Sequence, residues 1–327
     1  MVARVYLYDA EGRDREVELT PDLLQSIGEQ RLLWVDVDDR DLPSLKELAR
    51  TLGIDGAALR KLAQPVTPHV ENFGAYMHFT VDTAPARQDR EQPETGDRGR
   101  RLDFVVSTKW LLTVHDGRIG FVERFRTEDR PETMIGSLTS HDFAAALLDA
   151  HLEAYFEEVA RIEDMVDSLD EQALTKPSSR TLLGRMVSLR RRVSRLRNLL
   201  AGQRGVFYGL SRPDLQAVSE SGAASHFKIL AGRFERAIDE VEHTRDLVVG
   251  SFELFASRTA QQTNELVKVL TFITVILGAS AAIASLFGMN FETRFFESGD
   301  AGFYVTIGAL VGLAVLATIF ARRRRWL

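Results

Sequence analysis

The chain has 327 residues, 27% of them charged, a formal net charge of −6 and no cysteine. That length accommodates two or three domains, and the acidic balance argues against a general nucleic-acid binder, which would carry a basic footprint. The lack of thiols excludes disulfides and cysteine-ligated metal or redox centres, and it suits a reducing compartment. No continuous apolar stretch occurs in the first twenty-five residues, so no cleavable signal peptide is expected.

In chain order, "ARVYLYD" (3–9) and "LLWVDVDD" (32–39) have the composition of strands, and "LPSLKELARTLGI" (42–54) has helical apolar spacing. "AYMHFTV" (75–81) and "LDFVVSTKWLLTVHD" (102–116) supply further strands, with a hairpin expected at Ser107-Thr108-Lys109. Between them "APARQDREQPETGDRGR" (84–100) is polar, rich in Pro and Gly, and reads as a mobile loop. A mixed sheet covered by helices, ending near residue 135, follows. From His141 the pattern is helical: an acidic stretch (143–174) and a basic one (182–200) are joined by the turn "KPSS" (176–179). Those charges could hold metals and phosphates, but antiparallel helices with solvated or mutually paired faces explain them better. A break at 209–222 precedes a last helical pattern, which runs from about Ala223 into an apolar segment. Roughly 65 residues give a helix about 100 Å long, which needs neighbours to hold it.

Val269–Phe287 runs nineteen residues without a charge, and Ala301–Ala321 runs twenty-one. Each reaches the roughly 20 residues that a helix needs to cross a bilayer. Arg322-Arg323-Arg324-Arg325 follow the second run, while the link carries Glu292, Glu297 and Asp300 against Arg294. By the excess of basic residues at span ends, the tail and the large N-terminal part are cytosolic and the link faces outward. The expected organisation is an α/β domain (1–135), antiparallel helices (136–222), a stalk helix (223–268), a first transmembrane helix (269–287), an external loop (288–300), a second transmembrane helix (301–321) and a basic tail (322–327).

The first span has a polar stripe. Asn264, Thr271, Gly278 and Ser285 recur at intervals of seven, as do Val267, Thr274, Ala281 and Gly288. Hydroxyls, an amide and small residues at such positions suit either a close helix–helix interface or the wall of a pore. Asp239, Asp246 and Glu253 continue the same register downward. An acidic line would repel itself across a tight interface, whereas along a wet funnel it attracts cations. Two helices cannot enclose a channel, so a pore requires several copies around an axis. At the outer mouth, Asn290 would then contribute a ring of amide dipoles followed by Glu292 carboxylates. Neutral oxygens can hold the hydration shell of Mg²⁺, which sheds water reluctantly.

Gly288-Met289-Asn290 after one span, a short acidic link, a second span and the ending "RRRRWL" resemble the CorA superfamily of divalent-cation channels, as do "TNELVKVLTFIT" (263–274) and Trp326-Leu327. The likeness is strong over 240–327 and weaker over the N-terminal half. It implies a funnel-shaped homopentamer in the inner (plasma) membrane with both termini cytoplasmic. It also implies passive uptake of Mg²⁺, with Co²⁺ and Ni²⁺ as further cargo and no resident cofactor. By the same resemblance Gly288, Met289 and Asn290 form the outer selectivity ring, Asn290 touching the ion through its water, and Asn264, Leu270, Thr271, Thr274 and Gly278 line the pore below. Many relatives carry a Met-Pro pair where this chain has Gly278-Ala279, which leaves Leu270 as the hydrophobic constriction. Ile229 stands where Mg²⁺-sensing relatives carry a stalk aspartate, and the partner strand offers Asp82. Weak coupling of cytosolic Mg²⁺ to the closed state is therefore expected. Glu292 directly after "MNF" matches the magnesium branch; the zinc-transporting ZntB branch shares the motif, and Zn²⁺ transport of that type, with or without proton coupling, is the alternative.

Two other functions compete. No G-x-x-x-x-G-K-[ST], H-E-x-x-H or G-x-S-x-G segment is present, so neither a nucleotide nor an enzymatic activity is expected. The seven histidines (69, 78, 115, 141, 151, 226, 243) are scattered and read as surface or core residues. A membrane-anchored sensor or scaffold without transport would also need a hairpin, but it leaves the aligned polar stripe unexplained.

Overall fold

A computed structural model describes residues 3–28, 30–64, 67–85, 99–127, 134–175, 180–212, 222–287, 289 and 300–323. These fall into two compact units, Met1–Ser168 with Leu183–Gly250 and Leu169–Leu182 with Ser251–Leu327.

The first unit is built on seven strands: β1 (Ala3–Asp9), β2 (Arg15–Glu16), β3 (Arg31–Val37), β4 (Val70–Asn72), β5 (Tyr76–Asp82), β6 (Arg101–Ser107) and β7 (Trp110–His115). Their spatial order is β2-β1-β3-β7-β6-β5-β4. Only β3 and β7 pair in parallel, from Leu33↔Trp110 to Val37↔Val114; the other neighbours are antiparallel. The hairpin expected at 107–109 joins β6 to β7. The central strands are buried on both faces, as helix-covered strands must be, and so read as nearly continuous apolar runs.

On one face Leu33, Val35, Val37, Val105, Leu112 and Val114 form a buried cluster with Leu45, Ala49 and Leu52 of α2 (Leu42–Leu52) and Ala58 and Leu62 of α3 (Gly56–Ala63). Local chemistry fixes these helices. Asp41 caps α2 by accepting from the Ser44 backbone N–H, Pro43 lies in its first turn, and Gly53 ends it at φ 72°, a left-handed conformation that L side chains disfavour. Asp55 caps α3 through the Ala57 N–H, and Thr20 caps α1 (Pro21–Ser26) through that of Leu23. The opposite face carries Trp34, whose ring meets Phe143 of α5 (Ser140–Thr175) edge-on at 5.5 Å. Helix α4 (Gly120–Thr127), a 3-10 turn at Met134–Ser137 and α7 (Arg204–Leu210) complete this unit's local elements.

Each face also buries one charged network. Asp36 lies beside Arg126 (3.3 Å) and His115 (3.2 Å) and accepts from the Thr113 hydroxyl. Asp103, on the other face, is 2.7 Å from Arg40 and 2.8 Å from His78, and accepts from the Thr80 hydroxyl at 2.6 Å. Burial alone would raise the Asp103 pKa; the His78 hydrogen bond and the Arg40 charge outweigh it and hold the carboxyl below its usual range.

The acidic and basic helices are α5 and α6 (Arg180–Ala201). Within the first unit Glu158 of α5 is buried and is gripped by Arg192 of α6 and by Arg161 at 2.8 Å. Charge pairing is what this part of the acidic stretch does. Residues 176–179 lie outside the described residues, as do 86–98 of the expected loop and 213–221 of the expected break. The last helical pattern is α8 (Ala224–Phe287), followed by α9 (Asp300–Arg323).

Two buried histidines make stability pH-dependent. Burial pushes both His141 and His151 down to about 4, against 6.5 in the unfolded chain, despite the Asp142 charge beside the first and the Gln203 hydrogen bond to the second. Between those values the unfolded chain binds the extra proton. Stability is therefore complete above pH 6.5 and falls as pH drops toward 4, by about 1.4 kcal/mol per pH unit for each histidine. Thermal melts of the full chain should move to lower temperature from pH 7 to pH 5; an unchanged midpoint would contradict this.

Candidate ion-conducting segment

The C-terminal part of α8 lies in the second unit. Its residues from Asn264 to Leu286 are exposed or half-buried, and Leu270 is 64% exposed. Helices α8 and α9 each contain an 18-residue window of mean hydropathy 2.2, and neither window is buried at all. Exposed apolar surface is unfavourable in water by about 25 cal/mol per Å². A soluble protein buries such helices; these need lipid or further subunits around them.

The predicted stripe and pore-lining positions that lie among the described residues present themselves to the surroundings. Asn264, Val267, Leu270, Thr271, Thr274, Gly278, Ala281 and Ser285 are exposed. Thr271 Oγ1 donates to the Val267 carbonyl and Thr274 Oγ1 to the Leu270 carbonyl, both at 2.8 Å. Each hydroxyl proton is thus used inside the helix, and the oxygen keeps acceptor capacity on its outer side. Such oxygens can receive hydrogen bonds from water in a cation's hydration shell. A Cβ added at Gly278 would meet nothing within 4 Å. Glycine in a helix interior costs about 1 kcal/mol relative to alanine, and no packing among the described residues requires the smaller residue there.

Met289 is half exposed, with its backbone N–H 3.4 Å from the Leu286 carbonyl. Gly288, Asn290 and Glu292 lie outside the described residues, so the proposed filter and external acid carry no geometry here. In the first unit Asp239 and Asp246 are exposed, Asp246 lying 3.7 Å from Arg245; in the second unit Glu253 is exposed.

Of the two positions expected at the Mg²⁺-sensing place, Asp82 is engaged within the chain. Arg101 donates to both carboxylate oxygens of Asp82, at 3.0 and 3.3 Å. Ile229 is 61% exposed and lines a groove with Asp142 and Asp149. Asp142 is paired with His226 at 2.8 Å and Asp149 with Arg233 at 2.6 Å. Among the described residues no three or more His, Cys, Asp or Glu side chains are already gathered into a metal-holding group. The polar networks at Asp36 and Asp103 escaped the sequence reading. Their only trace is polar residues inside otherwise apolar strands, as in "YMHFTVD".

A seven-stranded α/β unit combined with two bare apolar helices of spanning length, the first bearing a polar stripe, defines a membrane protein of the two-span metal-transporter class. A family model described as "CorA-like Mg2+ transporter protein" matches residues 29–323, and the chain belongs to the CorA family of divalent-cation transporters. It is 30% identical over 182 residues to the cobalt/magnesium transport protein CorA of Thermotoga maritima, covering 56% of this chain and 51% of that protein. Its similarity to the cobalt/magnesium transport protein CorA of Methanocaldococcus jannaschii is 22% identity over 92% of this chain and 93% of that one. The complete structure of the latter superposes with a TM-score of 0.76 at 19% identity, covering 100% of this chain and 99% of that chain. The ZntB cytoplasmic domain from Vibrio parahaemolyticus shares the fold as well, with a TM-score of 0.60 at 8% identity over 80% of this chain and 100% of that domain. Fold alone therefore does not separate the ions.

Proposed function

We propose that this chain forms a homopentameric channel for Mg²⁺ uptake across the inner membrane, with Co²⁺ and Ni²⁺ as minor cargo and both termini in the cytoplasm. The observation that carries this reading is the exposed stripe Asn264–Thr271–Gly278–Ser285, with the Thr271 and Thr274 hydroxyl protons turned into the helix. Leu270 forms the hydrophobic constriction and Val267 and Ala281 complete the wall. Gly288, Met289 and Asn290 make the outer filter, Glu292 gathers cations at the mouth, and Asp239, Asp246 and Glu253 line the cytosolic exit. A divalent ion gains about 4.6 kcal/mol per 100 mV of inside-negative potential, twice the roughly 2.3 for one charge, so entry needs no nucleotide.

Ion-resolved flux in liposomes tests the reading. Mg²⁺ should enter down an imposed inside-negative potential without a pH gradient. Because Asp82 and the acids beside Ile229 are already paired within the chain, millimolar Mg²⁺ inside the vesicles should slow this flux less than twofold. Flux of Zn²⁺ alone, driven by a pH gradient, would replace the proposal by the ZntB-type one, and absence of any flux would favour an anchored scaffold.

A further inference from the structure

Two histidines that the transport reading does not use lie side by side at the β4 edge of the sheet. The rings of His69 and His78 are 4.8 Å apart between centroids and perpendicular. His78, on β5, is fully buried, with Nε2 2.8 Å from Asp103 Oδ1. His69 precedes β4, with Nδ1 3.1 Å from the Thr67 carbonyl. A carboxylate and a carbonyl can only accept, so His78 Nε2 and His69 Nδ1 carry the protons. An imidazole with one N–H fixed in this way offers its other nitrogen as an acceptor. Those two atoms, His78 Nδ1 and His69 Nε2, are buried and have no hydrogen-bond partner among the described residues.

Metal-bound imidazoles have this arrangement, the second ring N–H being fixed by a carboxylate or backbone carbonyl. The spacing also fits. With a metal–nitrogen bond of about 2.0–2.1 Å, each ring centroid lies about 3.2 Å from the ion, and ligand angles of about 95–110° put the two centroids about 4.7–5.2 Å apart. Glu71 stands directly opposite His78 in the β4–β5 ladder. Its carboxylate is held by Lys61 Nζ, so a cation already occupies that side, and both side chains are partly exposed, which leaves a path from solvent. No preformed three-ligand cage exists among the described residues; Glu71 must turn from Lys61 to the ion.

We propose that His69 and His78, with Glu71 recruited as third ligand, bind a borderline divalent ion, Zn²⁺, Co²⁺ or Ni²⁺, and discriminate against Mg²⁺. Imidazole nitrogen suits those metals, whereas Mg²⁺ takes oxygen ligands. The site lies wholly within the first unit, and its existence does not depend on which ion is transported.

Equilibrium dialysis of the full chain in detergent, with Zn²⁺ titrated against millimolar Mg²⁺, tests the site. Wild type should bind one Zn²⁺ per chain here that Mg²⁺ does not displace, and Zn²⁺ should raise its melting temperature. His69→Ala should weaken this binding at least tenfold and abolish the thermal shift, and Glu71→Gln should weaken it about tenfold. His69→Gln preserves side-chain volume and should behave like His69→Ala, separating ligation from packing. Absence of Zn²⁺ binding by wild type, or wild-type affinity in both His69 variants, would overturn the site; wild-type affinity in Glu71→Gln would overturn the third ligand.

Discussion

Replacing Asn290 by alanine should lower Mg²⁺ flux in liposomes at least a hundredfold while leaving assembly and the melting temperature unchanged. Each subunit of a pentamer would lose one amide oxygen facing the hydrated ion. A net hydrogen bond contributes about 1 kcal/mol, so five together approach about 5 kcal/mol, more than the roughly 2.8 that correspond to a hundredfold. Folding should be spared because the residue would sit at a solvated mouth. Glu292→Gln provides the contrast. A carboxylate acting through its field is screened within about 8 Å at physiological ionic strength, so its loss should reduce uptake at low Mg²⁺ and low salt and matter little at high Mg²⁺. Wild-type flux and selectivity from an assembled Asn290→Ala protein would sink the filter assignment.

The second large effect concerns stability. Asp103→Ala removes the buried carboxylate beside two buried groups, the Arg40 side chain, which is 7% exposed and keeps only the exposed Asp116 as an acidic partner among the described residues, and His78, which is 0% exposed. Breaking a buried pair from one side leaves an uncompensated charge and costs about 3–5 kcal/mol. For a unit of this size that corresponds to a melting temperature lower by about 10 °C. Asp103→Asn keeps an acceptor for Thr80 but loses the charge facing Arg40, so its melting temperature should fall between the two. A variant that melts within 2 °C of wild type would show that water replaces the carboxylate. The pocket between α2, α3 and the sheet would then be wetter than its packing implies.

Whatever depends on neighbours in the chain was legible in the sequence. Hydropathy over windows of spanning length located both apolar helices, because a bilayer asks only for length and uniform polarity. Apolar spacing located the helix expected at 42–54; Asp41, Pro43 and Gly53 set the limits of α2 at Leu42–Leu52, since capping and backbone handedness act within one turn. The seven-residue spacing from Asn264 to Ser285 gave the stripe because helix geometry alone sets which residues share a face.

Long-range pairing could not be read this way. The parallel contact of β3 with β7 joins segments more than seventy residues apart, and strand register is decided by which arrangement buries both sheet faces. The three-residue β4 and two-residue β2 carry too little periodicity to be seen alone; they are strands only because β5 and β1 offer them a ladder. The same holds for charge. Asp36 and Asp103 are ordinary acids in the sequence, and tertiary structure alone brought Arg126 and Arg40 to them. His69 and His78 looked scattered, nine positions apart in the chain, until β4 folded back on β5 and set their rings 4.8 Å apart between centroids. Local chemistry determined the elements of this protein; burial, which acts on the whole chain at once, decided which polar groups meet.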